Sequence, residues 1–130
     1  MSTELFYLTL VTAFTSLLWL PYILDRIAVR GLTTAVGYAD NPKPQSPWAE
    51  RLMKAHANAV ENLVVFAVLV LVAHAAGISN ACTEWACVVY FWARLLHAIS
   101  YTFGVPWVRT LGFAAGFFSQ AAIAWHLLLR

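Results

Sequence analysis

Charged residues are scarce in this chain of 130 residues. Only 11% are Asp, Glu, Lys or Arg, whereas 62% are hydrophobic. Soluble domains carry about 25% charged residues, so the composition excludes a soluble globular domain. The mean hydropathy of +0.70 supports the same conclusion. The sequence therefore predicts a single integral membrane domain that covers residues 1–130.

Net charge, cysteine and N-terminal basic residues are also sparse. The formal net charge is only +2, and most basic residues lie between the first two apolar runs, so nucleic acid binding has no support. Cys82 and Cys87 are five residues apart, about 140° around a helix, so no disulfide is expected between them. No basic residue precedes the first apolar run. We therefore expect this run to be retained as a span rather than cleaved as a signal peptide.

Four long apolar segments predict a bundle of four transmembrane helices. A helix needs about 20 apolar residues to cross about 30 Å of hydrocarbon. The first segment contains no charge, and the later ones are separated by short stretches that contain Gly, Asn or Pro. The fold class is therefore all-α. We place the spans at residues 5–24, 47–76, 82–103 and 107–129.

The residues between the spans predict where the helices begin and end. Residues 31–46 contain Gly, Asp-Asn and several Pro, so we expect a loop there. Ser46 is expected to be the N-cap of the second span, with Pro47 as its first residue. Ser79 or Thr83 is expected to cap the third span.

A small-residue face predicts close helix packing in the fourth span. Gly112 and Gly116 form a G-x-x-x-G pattern. Such a pattern lets another helix approach closely. The sequence does not identify the partner helix.

The distribution of basic residues predicts the orientation in the membrane. The loop 24–47 holds three of them, two more follow at the start of the second span, and Arg109 follows the turn 104–106, whereas the turn after the second span has neither Lys nor Arg. Cytoplasmic loops are enriched in Lys and Arg. We therefore expect this loop and this turn to be cytoplasmic, with both termini on the opposite side. Only Arg130 opposes that orientation.

Residues 50–62, which read E-R-L-M-K-A-H-A-N-A-V-E-N, place polar groups on an apolar helix. Such groups are costly in a membrane span. Four of them fall within about 80° of one another, flanked by Arg51 and Asn62. They are Glu50, Lys54, Asn58 and Glu61. His56 points to the opposite side, where a structural hydrogen bond is expected.

The third span carries a second polar face at a similar depth. Its members lie within about 60° of arc, and they are Tyr90, Arg94, His97 and Tyr101. We expect the two faces to meet. One interpretation is a buried ion pair between Glu61 and Arg94. The surplus of cations and amides favours the other, a site for a small polyanionic ligand that enters from the cytoplasm.

Both motifs resemble those of the MAPEG family, the membrane-associated proteins of eicosanoid and glutathione metabolism. The usual family form is E-R-x-x-R-A-H-x-N-x-x-E-N, and A-R-L-L-H-A-I-S-Y of the third span is similar to the family's R-x-x-H-x-x-x-Y. The resemblance covers nearly the whole chain. It implies a homotrimer of four-helix subunits, with glutathione sites between subunits near the cytoplasmic face.

The resemblance also implies roles for individual residues. The expected glutathione-binding residues are Arg51, Lys54, Asn58, Glu61, Arg94 and His97. The basic residues would take the two carboxylates, Glu61 the ammonium group and Asn58 the peptide groups. Arg109, and second Tyr101, are the expected catalytic residues, because a nearby donor favours the thiolate form of glutathione. No metal is expected.

Two departures from the family pattern bear on the expected ligand contacts and on the expected activity. Lys54 stands where Arg is usual, which removes bidentate geometry. The segment after Tyr101 is shorter than in the eicosanoid-producing members and lacks their Arg-Ser pair, so a prostaglandin or leukotriene synthase is not indicated. The short loops are similar to the bacterial branch of the family, which implies a bacterial inner membrane.

The expected function is a glutathione transferase or peroxidase that acts on lipophilic electrophiles taken from the bilayer. One alternative is a non-catalytic module of the same fold that modulates other membrane proteins. Another is a haem-binding electron carrier, because His56 and His97 lie at one depth and His74 and His126 at another, as two bis-His sites would require.

Overall fold

The computed structural model describes residues 1–129, and within them the chain forms helices and no strand. Arg130 lies outside the described residues. The helices are α1 (Thr3–Leu17), α2 (Trp19–Arg30), α3 (Leu32–Val36), α4 (Pro47–Ala75), α5 (Ala81–Thr102) and α6 (Pro106–Leu128). The all-α prediction is confirmed. The bounds predicted for the last three spans agree with α4, α5 and α6 to within one residue.

Among these residues, three segments are long and apolar enough to cross a membrane, namely Thr3–Arg30, Pro47–Ala75 and Pro106–Leu128. In their most apolar windows only 17–28% of the residues are buried inside the chain. Most of that apolar surface therefore faces lipid or another protein, and the chain is an integral membrane protein. Helix α5 has 22 residues but is not one of the three, so a fourth span stays a prediction.

The first predicted span consists of two helices rather than one. Helix α1 ends where the N–H of Leu18 bonds to the Thr15 carbonyl at 3.3 Å, and α2 continues to Arg30. Pro21 explains the break, since it has no N–H to donate to the carbonyl four residues earlier. The prediction that residues 31–46 are entirely loop was wrong, because α3 forms between two glycines where no helix breaker intervenes.

Asp25 fixes the start of α4. Ser46 occupies the predicted N-cap position and Pro47 the first turn, but the Ser46 side chain makes no capping bond. Instead, its hydroxyl donates to Asp25 Oδ1 at 2.5 Å and its N–H donates to Asp25 Oδ2 at 3.1 Å. Gln45 adds a bond from Nε2 to the Tyr22 carbonyl at 2.7 Å. The end of the loop is thereby attached to α2.

Glycine and asparagine make the turn between α4 and α5. Gly77 has φ +70°, and the N–H of Ile78 bonds to the Ala73 carbonyl at 2.9 Å, which closes the helix as a Schellman motif. The predicted caps of the next helix were wrong. Asn80 caps α5 by accepting from the Thr83 N–H at 3.0 Å, and the Thr83 hydroxyl accepts from the Asn80 N–H at 2.9 Å. Asparagine is among the strongest N-cap residues.

Two apolar clusters form the core, one toward each end of the bundle. The first contains Val11, Phe66, Val70, Ala86, Cys87, Tyr90 and Ile123. The second contains Leu18, Leu52, Ala59 and Ala98. The polar groups contributed by α4 and α5 lie between them along the chain. Both cysteines are free, as the sequence predicted.

The G-x-x-x-G face of α6 packs against α5, which confirms its packing role. A Cβ added to Gly112 would lie 3.1 Å from the Ala93 carbonyl oxygen and 3.1 Å from the His97 nitrogen. A Cβ added to Gly116 would lie 3.5 Å from Arg94 Cδ, an ordinary contact distance. Glycine is therefore required by space at the first position only.

We expect Gly112→Ala and Gly116→Ala to affect stability in opposite directions. Alanine at 112 pushes against the α5 backbone and should destabilise the protein by about 1–3 kcal/mol. Alanine at 116 meets only a side chain, and its helix propensity favours it by up to about 1 kcal/mol. Thermal unfolding of both variants in detergent tests this, and equal effects would contradict the packing described.

Candidate functional site

The predicted polar faces of α4 and α5 meet at Asn58 and Arg94. The Arg94 side chain is only 2% exposed, and its Nη2 donates to Asn58 Oδ1 at 2.6 Å. Its Nε and Nη1 are buried and have no hydrogen-bond partner within residues 1–129. A guanidinium has five N–H donors. Arg94 is therefore an incompletely satisfied cation inside the bundle.

Glu61 does not neutralise Arg94 in the structure, which does not support the ion-pair interpretation. Its side chain is exposed, and it is residue fifteen of the 29 in α4, at mid-helix. The polar face predicted on α4 is therefore only partly in contact with the neighbouring helices, and the rest of it is exposed. Asn58 and Asn62 turn toward the neighbouring helices, whereas Lys54 and Glu61 are exposed.

A second polar contact ties three helices together one turn further along α4. Asn62 Oδ1 accepts from the Tyr90 hydroxyl at 2.7 Å and from Gln120 Nε2 at 2.8 Å. The Tyr90 ring also stacks on Phe66, with 3.7 Å between the ring centroids. Gln120 was missed from the sequence. The sequence feature that could have identified it is a single amide side chain in an apolar span, because such groups commonly form hydrogen bonds between helices.

His97, Tyr101 and Arg109 form a group near the C-terminal end of α5. The His97 ring is 5.6 Å from the Tyr101 ring and 6.3 Å from Phe113, centroid to centroid. The Arg109 guanidinium carbon lies 4.8 Å from the centre of the Tyr101 ring, a cation–π contact. The two residues predicted to be catalytic are therefore neighbours. His97 is buried, and its Nδ1 has no partner in the described part of the chain.

Arg51 contacts the end of α5. Its Nε donates to the Thr102 carbonyl at 2.8 Å, and the guanidinium lies against Gly104, which has φ +73°. A cation at a helix C-terminus is favourable because the last carbonyls carry partial negative charge. Arg51 thus joins the start of α4 to the end of α5, and its Nε is occupied by this contact.

Lys54 lines a cavity with residues from α2. The cavity has a volume of about 310 Å³, and its other lining residues are Arg26, Arg30, Gln45, Glu50 and Met53. Arg26 and Arg30 belong to the basic residues of loop 24–47 and were not predicted to be site residues. Their position beside Lys54 creates a strongly basic recess, which no helical wheel of a single span could reveal.

His56 makes the structural hydrogen bond predicted for it. Its Nδ1 lies 2.8 Å from the Tyr22 hydroxyl of α2. His97 contacts Tyr101 and the α6 residue Phe113 instead. The two histidines that a haem would need thus pack against different helices. Among residues 1–129, no three His, Cys, Asp or Glu side chains are grouped in a way that could hold a metal ion.

Comparison with known proteins identifies a family. The model described as the MAPEG family matches residues 9–129, nearly the whole chain. The comparison found no matching curated protein and no matching solved structure.

We expect Asn62→Ala to destabilise the protein more than Tyr90→Phe does. Alanine leaves the Tyr90 hydroxyl without an acceptor, at a cost of about 1–3 kcal/mol for a buried group. It also removes the stronger of the two bonds that Gln120 Nε2 makes to residue 62, since only the bond to the backbone carbonyl at 3.1 Å remains. Phenylalanine removes one donor and leaves the Asn62–Gln120 bond intact. Thermal unfolding in detergent compares them, and a smaller loss for Asn62→Ala would refute its role in joining three helices.

Proposed function

Because the chain belongs to the MAPEG family, we propose that it is a glutathione-binding membrane enzyme of the transferase or peroxidase type that acts on lipophilic electrophiles. One observation carries the proposal. Arg94 is a buried cation with two unpartnered nitrogens among the described residues, and it lies beside Asn58, one helical turn from the exposed carboxylate of Glu61.

The state of Arg94 favours an anionic ligand. A buried charge is tolerated when it is paired and hydrogen-bonded, and Asn58 supplies only a neutral acceptor. A carboxylate from a bound molecule would complete the coordination with charge-assisted bonds. Glutathione has two carboxylates, and the basic recess around Lys54 offers a second place for one of them.

The remaining groups of glutathione also have complements on α4. Its ammonium group suits Glu61, which is exposed and carries an acceptor-only carboxylate. Its peptide carbonyl suits the amide nitrogen of Asn58, because only Oδ1 of that side chain is used by Arg94. His97 extends the polar surface toward Tyr101.

A homotrimer explains why Glu61 can be exposed at mid-helix. A charged residue that faces lipid is costly, by roughly 2.5–3.5 kcal/mol at the centre of a bilayer on the lowest scales and by less toward its surface. The same side of α4 exposes Val64, Val65 and Val68. A second copy packed on this face would remove both the charge and the valines from lipid, and glutathione would then bind between subunits.

Arg109 and Tyr101 are placed to stabilise the reacting sulfur. A thiol is mostly protonated at neutral pH, and a guanidinium with a phenol beside it favours the thiolate. In the transferase reaction, the sulfur forms a bond to an electrophilic carbon, and the electron pair departs with the leaving group. In the peroxidase reaction, the sulfur attacks the hydroperoxide oxygen and releases the alcohol. A second glutathione then reduces the sulfenic acid to the disulfide and water.

The proposed orientation places this chemistry at the cytoplasmic end, where glutathione is supplied. Loop 24–47 and turn 104–106 carry or adjoin most of the basic residues, and both termini would lie on the opposite side. The apolar substrate would enter laterally from lipid. A bacterial inner membrane is the proposed location.

Millimolar glutathione is expected to raise the thermal unfolding midpoint of the protein in detergent. A ligand at ten to one hundred times its Kd stabilises the folded state by roughly 1.4–2.7 kcal/mol. Glu61→Gln and Arg94→Ala should abolish the shift, because each removes one charged partner of the ligand.

Two further variants serve as controls for this experiment. Glu84→Gln removes an exposed carboxylate from the opposite end of the bundle and should leave the shift intact. Arg94→Lys keeps the buried cation if Arg94→Ala fails to fold, and it should weaken the shift. The absence of any shift in the unaltered protein would sink the proposal.

Arg109→Ala is expected to lower turnover while glutathione binding persists. Removal of one donor from a developing anion typically lowers kcat by 10²-fold to 10³-fold. Conjugation of 1-chloro-2,4-dinitrobenzene and reduction of cumene hydroperoxide measure the two activities. Turnover of Arg109→Ala should recover as the pH approaches the thiol pKa of about 8.5, and Arg109→Lys should retain more activity.

The pH profile distinguishes this role from a structural one. An unchanged profile in Arg109→Ala would argue against thiolate stabilisation by this residue. Glutathione binding without turnover of either substrate in the unaltered protein would identify the non-catalytic alternative.

A further inference from the structure

Glu4 is a buried carboxylate at the end of the bundle that contains the N-terminus and the α4–α5 turn. Its side chain is only 5% exposed, and Oε2 accepts from the Thr83 hydroxyl at 2.9 Å. Oε1 is buried and has no hydrogen-bond partner within residues 1–129. A buried carboxylate oxygen without a donor is costly. Nothing in the proposed glutathione chemistry uses Glu4.

Glu4 lies in the wall of a cavity of about 280 Å³. Ser2, His74 and Ser79 supply further polar groups to the same wall, and neither Lys nor Arg is among its described lining residues. The carboxyl torsion of a glutamate is broad and soft. A small rotation that keeps Oε2 within reach of the Thr83 hydroxyl would turn Oε1 toward a molecule in the cavity.

The electrostatics of the cavity favour a positively charged occupant. Glu4 contributes a carboxylate, and no Lys or Arg side chain is among the described lining residues to neutralise it. The remaining wall is apolar and contains Val70, Ala73 and Ile78. Such a wall suits a cation that carries a short hydrocarbon part.

The available donors and acceptors favour an ammonium group over a metal ion. Within residues 1–129 no three metal-binding side chains converge here or elsewhere, and hard cations require about six oxygen ligands. A primary ammonium group instead has three N–H donors. One can reach Glu4, and the others can reach serine hydroxyls or an imidazole nitrogen.

We propose that this cavity binds the primary ammonium group of a small amine, with Glu4 as its counter-ion. The volume suits a headgroup of the size of ethanolamine rather than a drug-sized ligand. Because the cavity lies where the membrane helices end, the amine has two sources: the headgroup of phosphatidylethanolamine or a free amine in solution. Both offer the same chemistry to Glu4.

Thermal unfolding without glutathione tests the proposal and separates the two sources. In phosphatidylcholine-doped micelles, ethanolamine hydrochloride is expected to raise the unfolding midpoint and to saturate. In the second arm, phosphatidylethanolamine replaces part of the phosphatidylcholine. A shift in the first arm identifies a soluble amine as sufficient, and a shift in the second arm alone identifies the lipid; either supports the proposal.

Glu4→Gln should abolish the shift, since it removes the charge while it keeps the size of the side chain. Glu84→Gln, which alters an exposed carboxylate of α5, should preserve it. If Glu4→Gln does not fold, Glu4→Asp keeps the charge on a shorter side chain and should bind about tenfold more weakly, a loss of about 1.4 kcal/mol. Native mass spectrometry then measures the bound amine directly.

Three results would overturn the proposal. They are no shift in either arm, an equal shift with tetramethylammonium chloride, which has no N–H donor, and a full shift that persists in Glu4→Gln. Because the cavity and the Arg94 region share no lining residue, loss of this proposal would leave the glutathione experiment unaffected.

Discussion

The structure depends on one constraint: polar groups inside a membrane-length bundle must find their partners within the protein. Hydrocarbon offers neither donors nor acceptors. Asn58 on α4 therefore accepts from Arg94 on α5, and Asn62 accepts from Tyr90 on α5 and Gln120 on α6. These contacts set the rotation of α4 about its axis. That rotation in turn decides which of its charged residues remain exposed.

Close packing of α6 against α5 makes the polar layer possible. Gly112 lets the two backbones approach, and Gly116 faces the Arg94 side chain at a distance that also suits a Cβ. The Arg94 side chain thus faces Gly116 of α6 on one side and bonds to the Asn58 amide of α4 on another. A bundle that was looser here would admit lipid or water beside the cation.

The bounds of α4, α5 and α6 followed from the sequence because apolar length, proline and glycine act locally, whereas the break between α1 and α2 and the short α3 did not. Side-chain partners did not, since they depend on how helices rotate against one another. A wheel of α4 puts Asn58 and Glu61 on one face, yet packing covers part of the first and leaves the second exposed. The motif predicted that Arg51 binds glutathione, but in the structure its Nε donates to the carbonyl of Thr102 at the end of α5. Nothing in the sequence singled out Glu4. A lone carboxylate in the first turn of a helix is common, because it interacts favourably with the helix dipole.

The attachment of the long loop at both ends has a consequence for experimental work. Arg30 Nε donates to the Lys43 carbonyl at 2.7 Å, and Asp25 holds Ser46 just before α4. The intervening residues can change in length without displacing either helix. A rigid soluble domain inserted between Gly37 and Pro42 would therefore add mass outside the membrane and leave the bundle in place. A subunit of 14.4 kDa has few features for image alignment by electron microscopy, and this loop is where a fiducial can be attached.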